Sequence, residues 1–310
     1  MTALRLVVHP EVQAALAEGR GVVALESTLL AHGLPPARRA EAAARLEATV
    51  RREGAVPATI AILDGVPHVG LDADALARIT QGGPASGPRK AALRDLAIAL
   101  ATGGDWATTV STTMALAARA GVRCFATGGI GGVHREVLET FDESSDLVAL
   151  ARYPVLVVSA GAKSVLDLPR TAERLETLGV PIVGFGTREL PAFYHGRSGV
   201  PLEHATDDVA TVARIAHQRF DVLGEGGVLV VQPPPAALAQ DPTVIDGHID
   251  DALAEANARG IRGARITPFL LAELAARSSG STVETNLALV DQNAQLAARV
   301  AVAYAGLTRR

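Results

Sequence analysis

Short apolar segments rich in β-branched residues recur along this chain and alternate with longer segments of helical character. The strand-like segments are continuous apolar runs, which are typical of strands covered on both faces, as in parallel sheets. They span residues 21–26, 58–63, 66–69, 122–127, 155–159, 181–185 and 227–231. The helical segments span residues 35–53, 108–120, 172–178, 207–220, 245–259, 268–277 and 283–304. This order predicts an α/β fold: a mainly parallel central sheet flanked by helices (α/β/α), with a helical C-terminal part.

Turn residues agree with this division of the chain. Asp64-Gly65 between two strand-like runs is a hairpin signal. Pro233-Pro-Pro235 follows the last strand-like run, and we interpret it as a loop that leads into the C-terminal helices. No composition change marks a linker, so we expect residues 1–310 to form a single domain.

Composition excludes several classes of protein. The chain has 310 residues, a net charge of −4 and one cysteine, Cys124. One cysteine excludes a disulfide framework and fits a reducing cytoplasm. A mildly negative charge argues against nucleic-acid binding, and no apolar run reaches the roughly 18 residues of a membrane span. We therefore expect a cytoplasmic protein with no membrane or nucleic-acid partner.

Lysine is almost absent from this chain. Of the 29 basic residues, only Lys90 and Lys163 are lysines and the other 27 are arginines. Unlike arginine, lysine can lose its proton and form an imine, so a lysine retained against such a bias is a candidate for chemistry. The alternative is that both are ordinary surface lysines.

Three polar segments follow predicted strands, where ligands bind in open α/β sheets. Glu26-Ser27-Thr28 offers a carboxylate for acid or base catalysis, or for bonds to nearby backbone. The glycine-rich run 127–132, followed by His134, suits an anion such as phosphate, or is a plain flexible turn. The segment 159–164 brings Lys163 beside small residues, where it is either a nucleophile or caps the end of the sheet.

Two further features are less specific. Glu139, Asp142, Glu143 and Asp146 could hold Mg²⁺ or Mn²⁺, but the spacing favours a solvated helix start with Asp142 or Ser144 as its N-cap. Lys90 follows the loop 82–88, and either binds a phosphate or is solvated.

Together these segments resemble the pseudouridine-5′-phosphate glycosidase family. The matching stretches run in order along nearly the whole chain: 24–28, 31–33, 54–61, 107–112, 125–135, 140–142, 144–147, 159–164, 190–193, 267–271, 285–286 and 292–294. The resemblance implies reversible cleavage of the C–C glycosidic bond of pseudouridine 5′-phosphate to uracil and ribose 5-phosphate. It also implies an α/β/α fold, one bound Mn²⁺ per subunit and a homotrimer.

The resemblance assigns roles by position. Lys163 matches the family's Schiff-base nucleophile, Glu26 its acid/base and Asp142 its metal-binding aspartate. The residues that it assigns to substrate binding are Lys90, Val110, Thr127, His134, Ser144, Ser145, Asp146 and Asn286. An amine suits this reaction because carbon is a poor leaving atom, and an imine at C1′ of the opened ribose divides the cleavage into easier steps. The glycine loop and Lys90 would hold the phosphate.

Other functions stay open at the level of the residues. The chain could instead be a different Schiff-base lyase that acts on a phosphosugar, because such an enzyme would use the same lysine and glycine loop. A sugar or nucleoside kinase is a further alternative, and its one weak indication is Gly103-Gly-Asp105, which resembles an anion-hole motif. A protein that only binds phosphometabolites is disfavoured by the retention of both lysines at candidate sites.

Overall fold

The computed structural model describes residues 4–81, 87–261 and 266–308. Within these residues, eleven strands form one sheet, in the spatial order β1-β4-β3-β2-β7-β8-β11-β9-β10, with β6 against β3 and β5 against β6. The strands are β1 Val7–Val8, β2 Val22–Glu26, β3 Val56–Leu63, β4 Val66–Val69, β5 Arg89–Ala91, β6 Trp106–Thr108, β7 Cys124–Ala126, β8 Leu156–Ser159, β9 Ile182–Phe185, β10 His204–Thr206 and β11 Val228–Val231.

Most strand pairs are parallel, as the continuous apolar runs predict. The pairs β2/β3, β2/β7, β7/β8, β8/β11 and β9/β11 are all parallel, whereas β3 pairs antiparallel with both β4 and β6. Asp64 and Gly65 both have positive φ, at 51° and 76°, which confirms the tight hairpin between β3 and β4. The carboxyl ends of β2, β7 and β8 therefore lie side by side at one edge of the sheet.

Helices cover both faces of this sheet. They are α1 Pro10–Ala17, α2 Pro36–Arg52, α3 Ala73–Gln81, α4 Leu96–Thr102, α5 Val110–Ala120, α6 Val137–Thr140, α7 Ser145–Arg152, α8 Leu168–Thr177, α9 Val209–His217, α10 Pro242–Ala258, α11 Ile266–Arg277 and α12 Ser281–Thr308. Strand β2 contacts both α5 and α12, and its first four residues are buried. The α/β/α arrangement is confirmed.

The C-terminal part is helical, as predicted. Residues 233–235 form a loop that leads through a short 3₁₀ turn, Ala236–Leu238, into α10. Helix α12 then returns to the sheet and packs on β2, β7 and β8, and on α2 and α9. It thereby brings residues from the end of the sequence to the central strands.

Some boundaries differ from the prediction. The helix expected from Thr108 begins at Val110, because Thr108 continues β6 and Thr109 is the N-cap of α5. The helix expected over 172–178 begins earlier, at Leu168, where the Asp167 carboxylate caps it. The short strands β1, β5, β6 and β10 were not expected, since two or three residues carry no recognisable pattern. Part of the loop before Lys90, residues 82–86, lies outside the described residues.

Candidate active site

One pocket opens at the edge where β2, β7 and β8 end. Nine of the residues that the sequence singled out line it: Glu26, Lys90, Val110, His134, Ser144, Ser145, Asp146, Lys163 and Asn286. They come from seven separate places in the chain, and the fold brings them together. Thr127 and Asp142 are not lining residues of this pocket, and their places are described below.

Glu26 is the last residue of β2, and its carboxylate faces the pocket. The hydroxyl of Thr127, the residue after β7, donates a 2.5 Å hydrogen bond to Glu26 Oε1. Burial raises the pKa of the Glu26 carboxyl, while the nearby Lys163 charge and the Thr127 hydrogen bond oppose this rise. A carboxyl with a raised pKa is suited to giving and taking a proton near neutral pH.

Lys163 follows β8 in a segment that runs beside the glycine loop 127–132. The Lys163 N–H donates to the Ile130 carbonyl at 3.1 Å, and the Ile130 N–H donates to the Gly161 carbonyl at 3.1 Å. Gly161 has a φ of +80°, and a Cβ there would lie 2.1 Å from the carbonyl oxygen of Pro191. Glycine is therefore required at this position to set the course of the segment that carries Lys163.

The glycine loop is held by the protein itself. Gly131 donates its N–H to Asp146 Oδ2 at 2.8 Å, and the Val133 N–H donates to the Thr171 hydroxyl at 2.9 Å. A Cβ on Gly131 would lie 2.2 Å from Ser144 Oγ, so close packing accounts for this glycine. With the Ile130 N–H also bonded internally, these three N–H groups are not available to a phosphate.

Asp146 has a similar internal role. Its Oδ1 accepts the Ser111 N–H at 2.9 Å in the first turn of α5, and its Oδ2 accepts the Gly131 N–H. The buried carboxylate thus links the start of α5 to the glycine loop, and it contributes negative charge to the pocket close to Lys90 and Glu26. Sequence reasoning assigned Asp146 to substrate binding, whereas its hydrogen bonds here are to the protein backbone.

Lys90 and Val110 come from elements around β6, which pairs with β3 on the same edge as β2, just beyond the end of β2. Lys90 is in β5, which pairs with β6, and Val110 is the first residue of α5. Burial lowers the pKa of the Lys90 ammonium, and the charge of Lys163 lowers it further. The first N–H groups of a helix have no intrahelical acceptor, so Lys90 and the start of α5 together offer a site for an anion.

Two serines and an asparagine complete the polar lining. Ser144 caps α7, with its Oγ accepting the Asp146 N–H at 3.2 Å, which confirms the N-cap prediction for this residue. Ser145 Oγ lies 3.0 Å from Ser111 Oγ. Within the described part of the chain, the buried Oδ1 of Asn286 has no hydrogen-bond partner. An acceptor held in this way at a pocket wall is suited to a ligand N–H.

Asp142 lies outside this lining, with 37% of its side chain exposed. Its Oδ2 is 3.9 Å from Nε2 of His134, whose pKa is lowered by burial. No group of three or more His, Cys, Asp or Glu side chains able to hold a metal occurs among the described residues. The donor set therefore fits a Mn²⁺ ion that keeps most of its water and takes one carboxylate, and it does not fit an ion enclosed by protein ligands.

Sequence reasoning did not assign three of the lining residues a role: His32, Thr109 and Phe193. His32 lies in a short π-helical turn after β2, and burial lowers the pKa of its imidazole. Phe193 has a φ of 63°, unusual for a bulky residue, and its ring fills the place that a Cβ on Gly129 would take, with Cδ2 2.5 Å away. His32 and Phe193 fall in matching stretches, but neither has a neighbouring pattern that indicates a pocket.

Comparisons with known proteins identify the relatives of this chain. Residues 11–303 match the family model described as indigoidine synthase A like protein. The chain is 52% identical over 295 residues to a pseudouridine-5′-phosphate glycosidase of Myxococcus xanthus, covering 95% of this chain and 97% of that protein. It is 51% identical to the protein of the same name from Herpetosiphon aurantiacus, covering 96% and 98%.

Two solved structures share the fold. One is the prealnumycin C-glycosynthase AlnA in complex with ribulose 5-phosphate, with a TM-score of 0.89, 40% identity and 99% of both chains covered. The other is an indigoidine synthase A-like protein from Thermotoga maritima, with a TM-score of 0.88, 32% identity and coverage of 100% of this chain and 98% of that one.

Fold and pocket together define an α/β enzyme in which a lysine and a carboxylate from neighbouring strand ends face one cavity. Sequence identity of about half over nearly the full length makes the relationship specific. The chain belongs to the pseudouridine-5′-phosphate glycosidase family.

Proposed function

We propose that this enzyme reversibly cleaves the C–C glycosidic bond of pseudouridine 5′-phosphate, giving uracil and ribose 5-phosphate. The observation that carries the proposal is the convergence of Glu26, Lys163 and Lys90 on one pocket. The names of relatives about 50% identical to this chain support the same substrate. The ribulose 5-phosphate bound to AlnA supports a phosphosugar as ligand.

Lys163 would act as the nucleophile. Its neutral amine bonds to C1′ of the ribose while the C1′–O4′ bond breaks, and Glu26 gives its proton to O4′. Glu26, now a carboxylate, takes a proton from the alkylated nitrogen and so restores its lone pair. The C1′–C5 bond then breaks as this lone pair forms an iminium with C1′, and the bond's electron pair goes to C5 of uracil, which takes the proton from Glu26. Water hydrolyses this iminium to ribose 5-phosphate and free Lys163. The covalent route avoids an unassisted departure of carbon.

The pocket divides into a phosphate end and a base end in this proposal. Lys90 and the first N–H of α5, at Val110, would bind the phosphate, with the hydroxyls of Ser144 and Ser145 beside them. The unpartnered Oδ1 of Asn286 would accept an N–H of uracil. Binding of these remote groups then fixes C1′ beside Lys163, which supplies much of the catalytic advantage of a bound reactant.

Mn²⁺ is the proposed metal, with Asp142 as its carboxylate ligand and His134 as a neutral polar neighbour. When bound, the ion would supply positive charge that polarises substrate oxygens. The proton transfers and the covalent step described above depend only on Glu26 and Lys163.

A homotrimer is proposed as the assembly. Two strongly exposed apolar side chains near Asp142 support an interface there: Leu138 is 71% exposed and Phe141 is 84% exposed. Adjoining exposed apolar side chains mark candidate interfaces, and these two lie three residues apart. Sedimentation equilibrium would give three times the chain mass of 31.9 kDa if the proposal is right.

A second candidate function rests on the similarity to AlnA, a C-glycosynthase. The same lysine would then join a phosphosugar to another carbon nucleophile. Substrate range separates the two functions, because only the first requires uracil release from pseudouridine 5′-phosphate.

The decisive experiment measures uracil release from pseudouridine 5′-phosphate with Mn²⁺ and quenches a parallel sample with borohydride. We expect uracil to appear, and a reduced ribose 5-phosphate adduct to map to the peptide that contains Lys163. Folded, metal-loaded protein that gives neither uracil nor an adduct would disprove the proposal.

A further inference from the structure

A chain of buried amide side chains leads from helix α12 to the candidate acid/base. Asn293 of α12 is 1% exposed, and its Nδ2 donates to the Thr127 carbonyl at 2.8 Å. Gln232, the residue after β11, donates from Nε2 to Asn293 Oδ1 at 3.0 Å and to the main-chain carbonyl of Gln292 at 3.1 Å. Thr127 in turn holds Glu26 through its hydroxyl.

The orientation of each amide in this chain is fixed by chemistry. A main-chain carbonyl can only accept, so the side of Gln232 that faces the Gln292 carbonyl must be its NH₂ group. The same NH₂ group donates to Asn293, which places the oxygen of Asn293 toward Gln232 and its nitrogen toward Thr127. The Asn293 side chain therefore has one arrangement that satisfies all of its partners.

Thr127 needs such a partner because it lies just beyond the strand ladder. Strand β7 ends at Ala126, and the pairing of β2 with β7 ends at Leu25 and Ala126. The Thr127 N–H still bonds the Val158 carbonyl at 3.0 Å, while its own carbonyl accepts from Asn293. The two contacts hold the Thr127 main chain at both its N–H and its carbonyl, and with it the hydroxyl that donates to Glu26.

We propose that Asn293 is a positioning residue for Glu26, acting through the main chain of Thr127. The inference rests on the proposed function, in which Glu26 moves the protons. The side chain of Asn293 does not line the pocket. Its Nδ2 also reaches the Gly128 carbonyl, at 3.4 Å, but its shorter bond, at 2.8 Å, is to Thr127, whose hydroxyl donates to Glu26. In the folded protein, Asn293 would keep Thr127 in a fixed position after β7, so that the Thr127 hydroxyl continues to donate to the Glu26 carboxylate.

Two variants test this role. Asn293→Ala removes the donor, and the isosteric Asn293→Asp keeps the acceptor for Gln232 but sets a carboxylate oxygen against the Thr127 carbonyl. We expect kcat for uracil release to fall by about tenfold or more in both, the factor that corresponds to one hydrogen bond. KM should stay within about threefold, because the binding residues are unchanged. Borohydride trapping of ribose 5-phosphate on Lys163 should persist.

The matched control is Val300→Ala, two turns further along the same helix. Val300 is fully buried, so its truncation destabilises the protein as a core substitution does, without a hydrogen bond to Thr127. If Asn293 only supports the fold, the control and the Asn293 variants will have equal kcat at equal loss of thermal stability, and the proposal is wrong.

A direct readout is the titration of Glu26 followed by carboxyl ¹³C NMR, with its signal assigned by its absence in Glu26→Gln. The charged groups around Glu26 are Lys163, Lys90 and Asp146, and Asn293→Ala changes none of them. Asn293→Asp adds a carboxylate whose repulsion also raises the Glu26 pKa, so the upward shift in the neutral Asn293→Ala variant is the one that reports the hydrogen bond. Loosening the Thr127 hydrogen bond should move the Glu26 midpoint to higher pH in both Asn293 variants and leave it unchanged in Val300→Ala. A wild-type midpoint in folded Asn293→Ala would overturn the inference.

The two readouts also separate failure of the inference from failure of the proposed function. Wild-type protein that releases no uracil refutes the function, and the NMR titration still decides whether Asn293 acts on Glu26. If Asn293→Ala does not fold, Asn293→Leu, which is neutral and close to asparagine in shape, takes its place in both measurements.

Discussion

Replacing Thr127 with valine tests the hydrogen bond that orients the candidate acid/base. Valine has nearly the same shape as threonine but lacks the hydroxyl that donates to Glu26 Oε1 at 2.5 Å. Thr127 is buried and does not line the pocket, so the substitution leaves the binding surface intact. The variant therefore changes the surroundings of one carboxylate and little else.

The expected magnitude follows from the strength of that bond. Hydrogen bonds to charged groups contribute about 1.5–3 kcal/mol, and about 1.36 kcal/mol corresponds to a factor of ten in rate. If the bond acts fully in the transition state, kcat should fall by roughly 10- to 150-fold. The Thr127 bond also lowers the pKa of Glu26, so its loss raises that pKa and shifts the corresponding limb of the pH profile to higher pH.

The assay is steady-state uracil release from pseudouridine 5′-phosphate across a range of pH. Thr80→Val is the matched control, since Thr80 is also buried but its hydroxyl bonds the Leu76 carbonyl within α3 at 3.0 Å. We expect the control to keep wild-type kcat and pH dependence. A folded Thr127→Val enzyme with wild-type kcat and an unshifted profile would refute the view that this bond positions Glu26.

Three further predictions concern the charged residues of the pocket. Lys163→Arg keeps the charge but cannot form an imine, so it should show neither turnover nor a borohydride adduct; near-normal activity would exclude the covalent role. Lys90→Ala should raise KM for pseudouridine 5′-phosphate by roughly tenfold with little change in kcat, and a selective loss of kcat would argue against phosphate binding. Glu26→Gln should be nearly inactive yet more stable than wild type at neutral pH. Because burial raises the pKa of Glu26 in the folded protein, its contribution to stability is complete below the unfolded pKa and is lost as pH rises through the folded pKa. The difference in melting temperature should therefore shrink at mildly acidic pH, and a constant difference across pH would contradict this account.

Much of the fold could be predicted because buried parallel strands have a local signature. The run that became β11, for example, is apolar throughout and bounded by Gly227 and Gln232, so its place in the sheet's core follows from its residues. Strand β10, His204–Thr206, could not be predicted, because it pairs by backbone contacts at the edge of the sheet and its side chains are partly or fully exposed. Short edge strands leave no hydrophobic pattern.

The candidate site was predictable in its residue types and only partly in their roles. The scarcity of lysine identified Lys90 and Lys163, and both line the pocket. Asp146 was predicted to bind substrate, yet both of its oxygens accept backbone N–H groups. A carboxylate's partners depend on which loops fold against it, and nothing near residue 146 in the sequence specifies Ser111 or Gly131.

The sequence by itself determined the buried strands β2, β3, β7, β8, β9 and β11 and their alternation with the longer helices, because these depend on residues adjacent in the chain. It likewise placed the carboxylate at the end of β2 and the lysine beyond β8. Only the tertiary structure decided which groups meet. Thr127 reaches Glu26 across 101 residues, and Asn293 reaches Thr127 across 166. Such contacts are set by strand register and by the packing of α12 on the sheet, since a hydrogen bond requires its atoms within about 3 Å, a distance that local sequence does not encode.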